Sequence, residues 1–116
     1  MKYCIAVLSI LFSALTQAED VARRDNLEIK TWHPSSINRV NNPKYNGVVR
    51  LYFTESGAWG NTSCRQDAAD ITNEDTALIS SMLSAFMANK KMKVEINASL
   101  GKIDNVCKIT AAFIAK

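Results

Sequence analysis

The sequence predicts a small, mainly β domain with one helix, whose elements follow the order β-β-β-α-β-β. Two observations predict the class. Apolar and polar residues alternate in 48–54, 93–99 and 103–115, as in strands that bury one face. Apolar residues in 78–86 instead recur at helical spacing. A brief third strand within 64–71 is the weakest of these elements.

The first eighteen residues have the three parts of a secretory signal. Lys2 gives a positive start, Tyr3 to Leu15 is an apolar run, and Thr16-Gln17-Ala18 suits a signal peptidase. The apolar run is shorter than the ~20 residues that cross a bilayer. We therefore predict a signal peptide over 1–18 and one domain over 19–116, which would be secreted or periplasmic with no membrane span. The alternative is an uncleaved membrane anchor.

The net charge limits the classes of binding partner, and the cysteine content indicates the cellular compartment. The formal net charge is +3, and loss of Lys2 with the signal leaves +2, which argues against a strongly electrostatic partner such as duplex DNA. Cleavage after residue 18 removes Cys4 and leaves Cys64 and Cys107, which predict one disulfide in an oxidising compartment. The alternative is a pair of free, buried thiols. Together with the lone His33 they fall short of four zinc ligands, so we expect no metal and no cofactor.

The first half of the domain opens with weak patterns and ends with the clearest strand. Residues 19–34 read as a loose, charged lead that includes a short strand at 28–32, and 36–40 as the start of the first main strand. Asn46-Gly47 predicts a hairpin turn. The strand over 48–54 would then point Val49, Leu51 and Phe53 into the core and leave Arg50 and Tyr52 half exposed.

The second half places a helix between strands. Thr72 is a candidate cap for a helix that begins near Asn73, with Asp75 completing a capping box. The strand over 93–99 would turn Val94, Ile96 and Ala98 inward. For the last strand the alternation predicts an inward set of Cys107, Ile109, Ala111 and Phe113.

Catalytic chemistry has little support in the sequence. A Ser-His-Asp or Cys-His arrangement would need His33, and no pattern places a nucleophile beside it. The adjacent Glu74 and Asp75 suit a helix start, where carboxylates meet the positive end of the dipole. We therefore expect a protein that is not an enzyme.

Aromatic residues give the better candidates for a binding surface. Trp59 lies in a Gly-flanked loop, where it either caps the core or offers a stacking face to a sugar, with Asn61 and Arg65 supplying hydrogen bonds. Tyr52 shares a strand face with Arg50, a pattern that also suits single-stranded nucleic acid. The ligand-binding candidates are thus Trp59, Asn61, Arg65 and Tyr52.

The order of motifs resembles a known family. A Gly-led strand (47–53), a Trp-Gly loop, Cys64, the helix and Lys-Lys stretch of 77–91 and a late Cys107 resemble small exported proteins similar to the B subunit of subtilase cytotoxin. The resemblance spans 37–115 and implies an OB-fold, a five-stranded barrel with its helix between strands three and four. The chain departs from the pattern at 89–91 and lacks a Gly-Cys pair before its last strand.

These observations predict an exported, non-enzymatic binding module. Its partner would be a cell-surface glycan or a protein, and the resemblance suggests a ring of identical subunits whose pore is lined by Ser80, Ser84 and Met87. Two alternatives stay open: a periplasmic domain with a protein partner, and an OB domain that binds single-stranded nucleic acid. We expect no nucleic acid, because the charge is low and the chain is predicted to be exported.

Overall fold

The computed structural model describes residues 20–116, so the predicted signal peptide lies outside the described residues. Five strands and one α-helix, α1, make up the domain, and α1 lies between β3 and β4. Their bounds are β1 Val21–Pro34, β2 Val48–Phe53, β3 Ala68–Thr72, α1 Thr76–Met87, β4 Lys91–Asn97 and β5 Lys108–Phe113. The prediction of a mainly β domain with one helix, in this order of elements, is confirmed.

The strands close into a barrel with the neighbour order β1-β2-β3-β5-β4. β1 closes it, because its first half pairs with β4 (Val21 opposite Asn97) and its second half pairs with β2 (Pro34 opposite Val49). Every pair is antiparallel except β3–β5, which meet at a single parallel register position, Asp70 opposite Lys108. This short parallel seam has the fewest ladder pairs in the barrel.

The predicted loose lead over 19–34 is wrong, since 21–34 form β1, the longest strand. Its register shifts between Arg24 and Leu27 and again between Ile29 and Thr31. Each shift is a bulge that bends the strand and breaks its two-residue alternation. The inward residues therefore do not follow a regular period, and the sequence shows no strand pattern there.

The predicted strand start at 36–40 is also wrong. These residues belong to the β1–β2 loop (35–47), which contains a 3₁₀ turn over Pro43–Tyr45. The loop ends at Gly47, whose φ of +71° favours glycine. Gly47 N donates to Ser35 O, and Ser35 N donates to Val48 O at 2.9 Å. The Asn-Gly turn therefore does return the chain to an antiparallel partner, at the end of a long loop rather than a tight one.

The predicted core residues of β2 are confirmed. The helix α1 begins later in the chain than predicted. Val49, Leu51 and Phe53 are all buried. The helix begins at Thr76 rather than near Asn73, and Asp75 is its N-cap. Its buried or packed residues face the barrel and are Leu78, Ile79, Met82, Ala85 and Phe86. Phe86 stacks on Trp32 of β1 with ring centroids 6.2 Å apart.

A bulge changes which residues of β5 face inward. Glu95 pairs with Ala111 and the next residue, Ile96, pairs with Ile109, so Thr110 is an extra residue in β5. Cys107 and Ile109 are buried as predicted. Beyond the bulge the parity reverses: Ala112 packs against the core, and Phe113 is 50% exposed. The predicted inward positions of Ala111 and Phe113 are therefore wrong.

The predicted disulfide between Cys64 and Cys107 is confirmed. Both cysteines are buried, beside the parallel seam. Asp70 N donates to Cys107 O at 3.0 Å, and Arg65 N donates to Asn105 O at 2.8 Å. The disulfide thus ties the segment before β3 to the start of β5, where the ladder itself is shortest.

We predict that replacing both cysteines with alanine lowers the free energy of unfolding by about 4 kcal/mol. The estimate follows from the loop entropy of the unfolded chain for a sequence separation of 43 residues. Urea unfolding with and without dithiothreitol measures it. Dithiothreitol should destabilise the natural protein and leave the double variant unchanged. Equal stability of the two proteins without reductant would contradict the prediction.

Candidate functional site

The outer face of β2 contains a buried ion pair. Arg50 points away from the barrel core, yet it is only 5% exposed, and its cross-strand partner Asp70 is 0% exposed. Arg50 Nε donates to Asp70 Oδ1 at 2.8 Å, and Arg50 Nη2 donates to Asp70 Oδ2 at 2.9 Å. The sequence prediction that Arg50 is half exposed is wrong, because a carboxylate twenty residues away in the chain pairs with it.

Further acceptors fix the Arg50 guanidinium. Nη2 also donates to the backbone oxygen of Ile103 in the β4–β5 loop (98–107) at 2.9 Å. The hydrogen bonds to Asp70 raise the pKa of Arg50 above its ordinary value. Arg50 is therefore a permanently charged group whose charge is balanced within the protein.

Asp104 joins two loops above this pair. Its carboxylate accepts hydrogen bonds from Tyr45 Oη and, at 2.9 Å, from Lys44 Nζ, both in the β1–β2 loop. Its Oδ2 also lies 3.9 Å from Arg50 Nη1. The Tyr45 hydroxyl, followed by Lys44, lowers the pKa of Asp104 below its ordinary range. One carboxylate therefore fastens the β1–β2 loop to the β4–β5 loop.

A pocket of about 110 Å³ opens between the β1–β2 loop and the outer face of β2. Its lining is composed of two aromatic, two cationic, one hydroxyl, one imidazole and one aliphatic side chain. These are Tyr45, Tyr52, Arg39, Arg50, Ser35, His33 and Val48. His33 reaches the pocket because it is the register partner of Arg50 across β1 and β2. No carboxylate lines the pocket.

Cations lie over both tyrosine rings of the pocket. Arg50, Lys44 and Arg39 lie 4.9, 5.1 and 5.7 Å from the centroid of Tyr45. Arg65 lies 5.6 Å from the centroid of Tyr52. Such contacts orient the rings and leave less aromatic face for another stacking partner. The rings are therefore fixed walls of the pocket.

The four ligand-binding candidates from the sequence separate into two places. Tyr52 lines the pocket, and Arg65 lies over the Tyr52 ring without lining the pocket itself. Trp59 is 0% exposed, its Nε1 donates to Arg65 O at 3.1 Å, and the Arg24 guanidinium covers its ring at 4.9 Å. Trp59 therefore caps the core, which was one of its two predicted roles, and has no open face for a sugar. Asn61 is exposed and does not line the pocket.

Sequence reasoning missed the residues that the β1–β2 loop brings to the pocket. Tyr45 lies in a segment that predicts turns, Arg39 lies in the segment predicted to start a strand, and His33 reads as a surface residue. The one available signal was the density of turn formers just before β2, which folds this loop back over the strand. Turn composition predicts a loop and not the direction of its side chains.

The lining supplies hydrogen-bond donors and positive charge, which are groups that bind polar or anionic ligands. Within residues 20–116 no group of three or more His, Cys, Asp and Glu side chains is placed to hold a metal ion. In the same range no helix is long and apolar enough to cross a bilayer. Comparison with known proteins found no matching family model, no matching curated protein and no matching solved structure.

We predict that Asp70→Asn destabilises the protein by about 3 kcal/mol, because it leaves the Arg50 charge buried without a counter-charge. The matched control is Asp67→Asn, which breaks the exposed pair with Arg65 and should cost less than about 1 kcal/mol. Urea unfolding at neutral pH measures both variants. Similar losses of unfolding free energy in the two variants would show that the buried pair stabilises the protein no more than the exposed pair does.

We also predict a pH-dependent contribution from Asp104. Its folded pKa is lowered, so the stability it adds is present above its unfolded pKa of about 3.9 and is lost as pH falls through the folded value. The difference in stability between the natural protein and Asp104→Asn should be constant at pH 5–7. It should shrink below about pH 4. A difference that does not change with pH would contradict this assignment.

Proposed function

We propose that the protein is an exported, non-enzymatic binding module of the OB-fold class and that it holds part of a glycan in the pocket on β2. The strand order and the helix between β3 and β4 support the fold assignment. OB-folds bind oligonucleotides and oligosaccharides on the face of strands two and three, between the loops that follow strands one and four. The pocket's position on that face, under the β1–β2 loop, is the observation that supports the proposal most directly.

Export is supported by two independent features. The sequence begins with a pattern typical of a secretory signal, and the Cys64–Cys107 disulfide is the kind of bond that persists in oxidising compartments. Both favour a secreted or periplasmic protein. A secreted domain would meet glycans on cell surfaces.

Size and chemistry of the pocket favour one end of a glycan over a larger ligand. A volume of about 110 Å³ is well below the several hundred Å³ that a drug-sized molecule fills, so only one group enters. Hydroxyl, guanidinium and imidazole groups beside two aromatic rings suit a sugar, which has polar edges and an apolar face. The rest of the ligand would lie outside.

Single-stranded nucleic acid is the second candidate. The side chains of Arg39, Lys44 and Arg65 next to two tyrosines are the kind of basic, aromatic cluster that such domains use. Two features make it the weaker proposal: the low net charge and the predicted export. The likeness to the toxin B subunit, and the ring with Ser80, Ser84 and Met87 along its pore, rest on the sequence pattern alone.

A glycan array tests the proposal directly. The protein should bind a restricted set of glycans, and Tyr52→Ala should weaken that binding by up to about tenfold because it removes one wall of the pocket. Phe113→Ala is the matched control, since Phe113 is an exposed aromatic residue that does not line the pocket. Equal losses in both variants, or no binding to any glycan, would contradict the proposal.

A parallel titration separates the second candidate. Labelled single-stranded oligonucleotides at low salt should show no saturable binding if the ligand is a glycan. Binding that weakens steeply with added salt would favour the nucleic-acid alternative, because phosphate contacts release counterions. Light scattering on the same sample reports the oligomeric state, and a monomer would remove the ring.

A further inference from the structure

Arg39 differs from the other arginines in how its charge is matched. The five arginines of the chain all lie in the described part, and three are paired with carboxylates at 2.6–2.9 Å: Arg23–Glu95, Arg50–Asp70 and Arg65–Asp67. Arg24 donates to the backbone oxygens of Gln66 and Glu55. Arg39 donates to a neutral hydroxyl, Ser35 Oγ, at 3.1 Å, and no carboxylate of residues 20–116 lies within salt-bridge distance of it.

The unmatched charge lies at the wall of a formed pocket. Arg39 is half-buried, and its guanidinium rests 5.7 Å from the centroid of Tyr45. Tyr45 is in turn held by Asp104, so the surface on which Arg39 lies is fixed by the two joined loops. A guanidinium has five N–H donors in a planar fork, and the contact with Ser35 uses only one of them. The remaining donors are available to a ligand.

Arg50, the second cation of the pocket, is less suited than Arg39 to bind an anionic ligand. Arg50 already has its charge balanced by Asp70 and donates a further hydrogen bond to Ile103 O. It adds positive potential to the pocket without open bidentate geometry. The side chain positioned to take a new anionic partner is therefore Arg39, with the Ser35 hydroxyl beside it.

We infer that the pocket is an oxyanion site and that its ligand presents a carboxylate, sulfate or phosphate group to Arg39. Guanidinium groups bind these planar or tetrahedral oxyanions through paired, charge-assisted hydrogen bonds. The absence of any carboxylate from the lining is consistent with this ligand class, since an acidic wall would repel it. The inference shares its pocket with the proposed function and names the chemical group that would occupy it.

NMR titration of the isotope-labelled protein with simple anions is the test. Sodium sulfate, sodium phosphate and sodium glucuronate are each added at constant ionic strength set by chloride, and glucose serves as the neutral probe. We expect saturable shifts in the amide signals of Ser35, Tyr45 and Val48 with at least one of the anions and none with glucose. Sulfate or phosphate alone would indicate an ester group, whereas glucuronate alone would indicate an acidic sugar.

Two variants of Arg39 and one control variant test whether Arg39 binds the anion. Arg39→Gln should weaken anion binding about tenfold or more. Arg39→Lys should retain part of it, because it keeps the charge and loses the fork. Arg23→Gln removes the same charge from an exposed position on the β1–β4 side of the barrel and should leave binding unchanged. Unshifted amide spectra elsewhere in each variant confirm that it is folded.

Several results would overturn the inference. They are the absence of saturable shifts with any of the three anions, equal binding by Arg39→Gln and the natural protein, and binding of acidic peptides without binding of the anions. The result is separable from the glycan proposal. Anion binding at Arg39 without any glycan on the array defeats only the proposed function, whereas binding of neutral glycans that does not change in Arg39→Gln defeats only the oxyanion site.

Discussion

The ion pair between Arg50 and Asp70 is the contact on which the rest of the site depends. It spans β2 and β3 on the outer face of the barrel, where both side chains are shielded from water. Shielding two charges is costly unless each is hydrogen-bonded, and here the two paired bonds and Ile103 O supply the partners. Ile103 O can do so only while the β4–β5 loop lies over the strand. The burial of the pair and the position of that loop therefore require each other.

The same loop position connects the disulfide with the pocket. Cys107 is the last residue of the β4–β5 loop, and its bond to Cys64 fixes where β5 begins beside the parallel seam. Asp104, three residues earlier, then holds Tyr45 and Lys44 of the β1–β2 loop. A covalent bond in the interior thus limits the movement of one wall of the pocket through a short segment of chain. In so small a domain the disulfide and the pocket wall share the same loop contacts.

Local sequence patterns predicted most of the strands and the helix. The features that they did not predict depend on pairing between residues far apart in the chain. The alternation in β2 and the helical spacing of α1 depend on neighbours in the chain, so the sequence displays them. The bulges of β1 and the extra Thr110 of β5 are set by which strand lies alongside, and this explains the missed first strand and the wrong side for Phe113. Arg50 looks exposed in its own strand, since its partner Asp70 comes from another. The pocket depends on such pairings too, and Tyr52 is the one predicted ligand-binding candidate among the residues that line it.

The contrast between Arg50 and Arg39 explains how one pocket can be both stable and receptive. A cation that is fully matched inside the protein contributes to the fold and gains little from a ligand. A cation matched only by a hydroxyl keeps unused donors, and it can be retained without a large desolvation cost because it is half-buried rather than enclosed. Both guanidinium groups lie near the Tyr45 ring, at 5.7 Å for Arg39 and 4.9 Å for Arg50, yet only Arg50 is paired with a carboxylate. In the oxyanion site that we propose, Arg50 would hold the pocket wall in position and Arg39 would bind the anion.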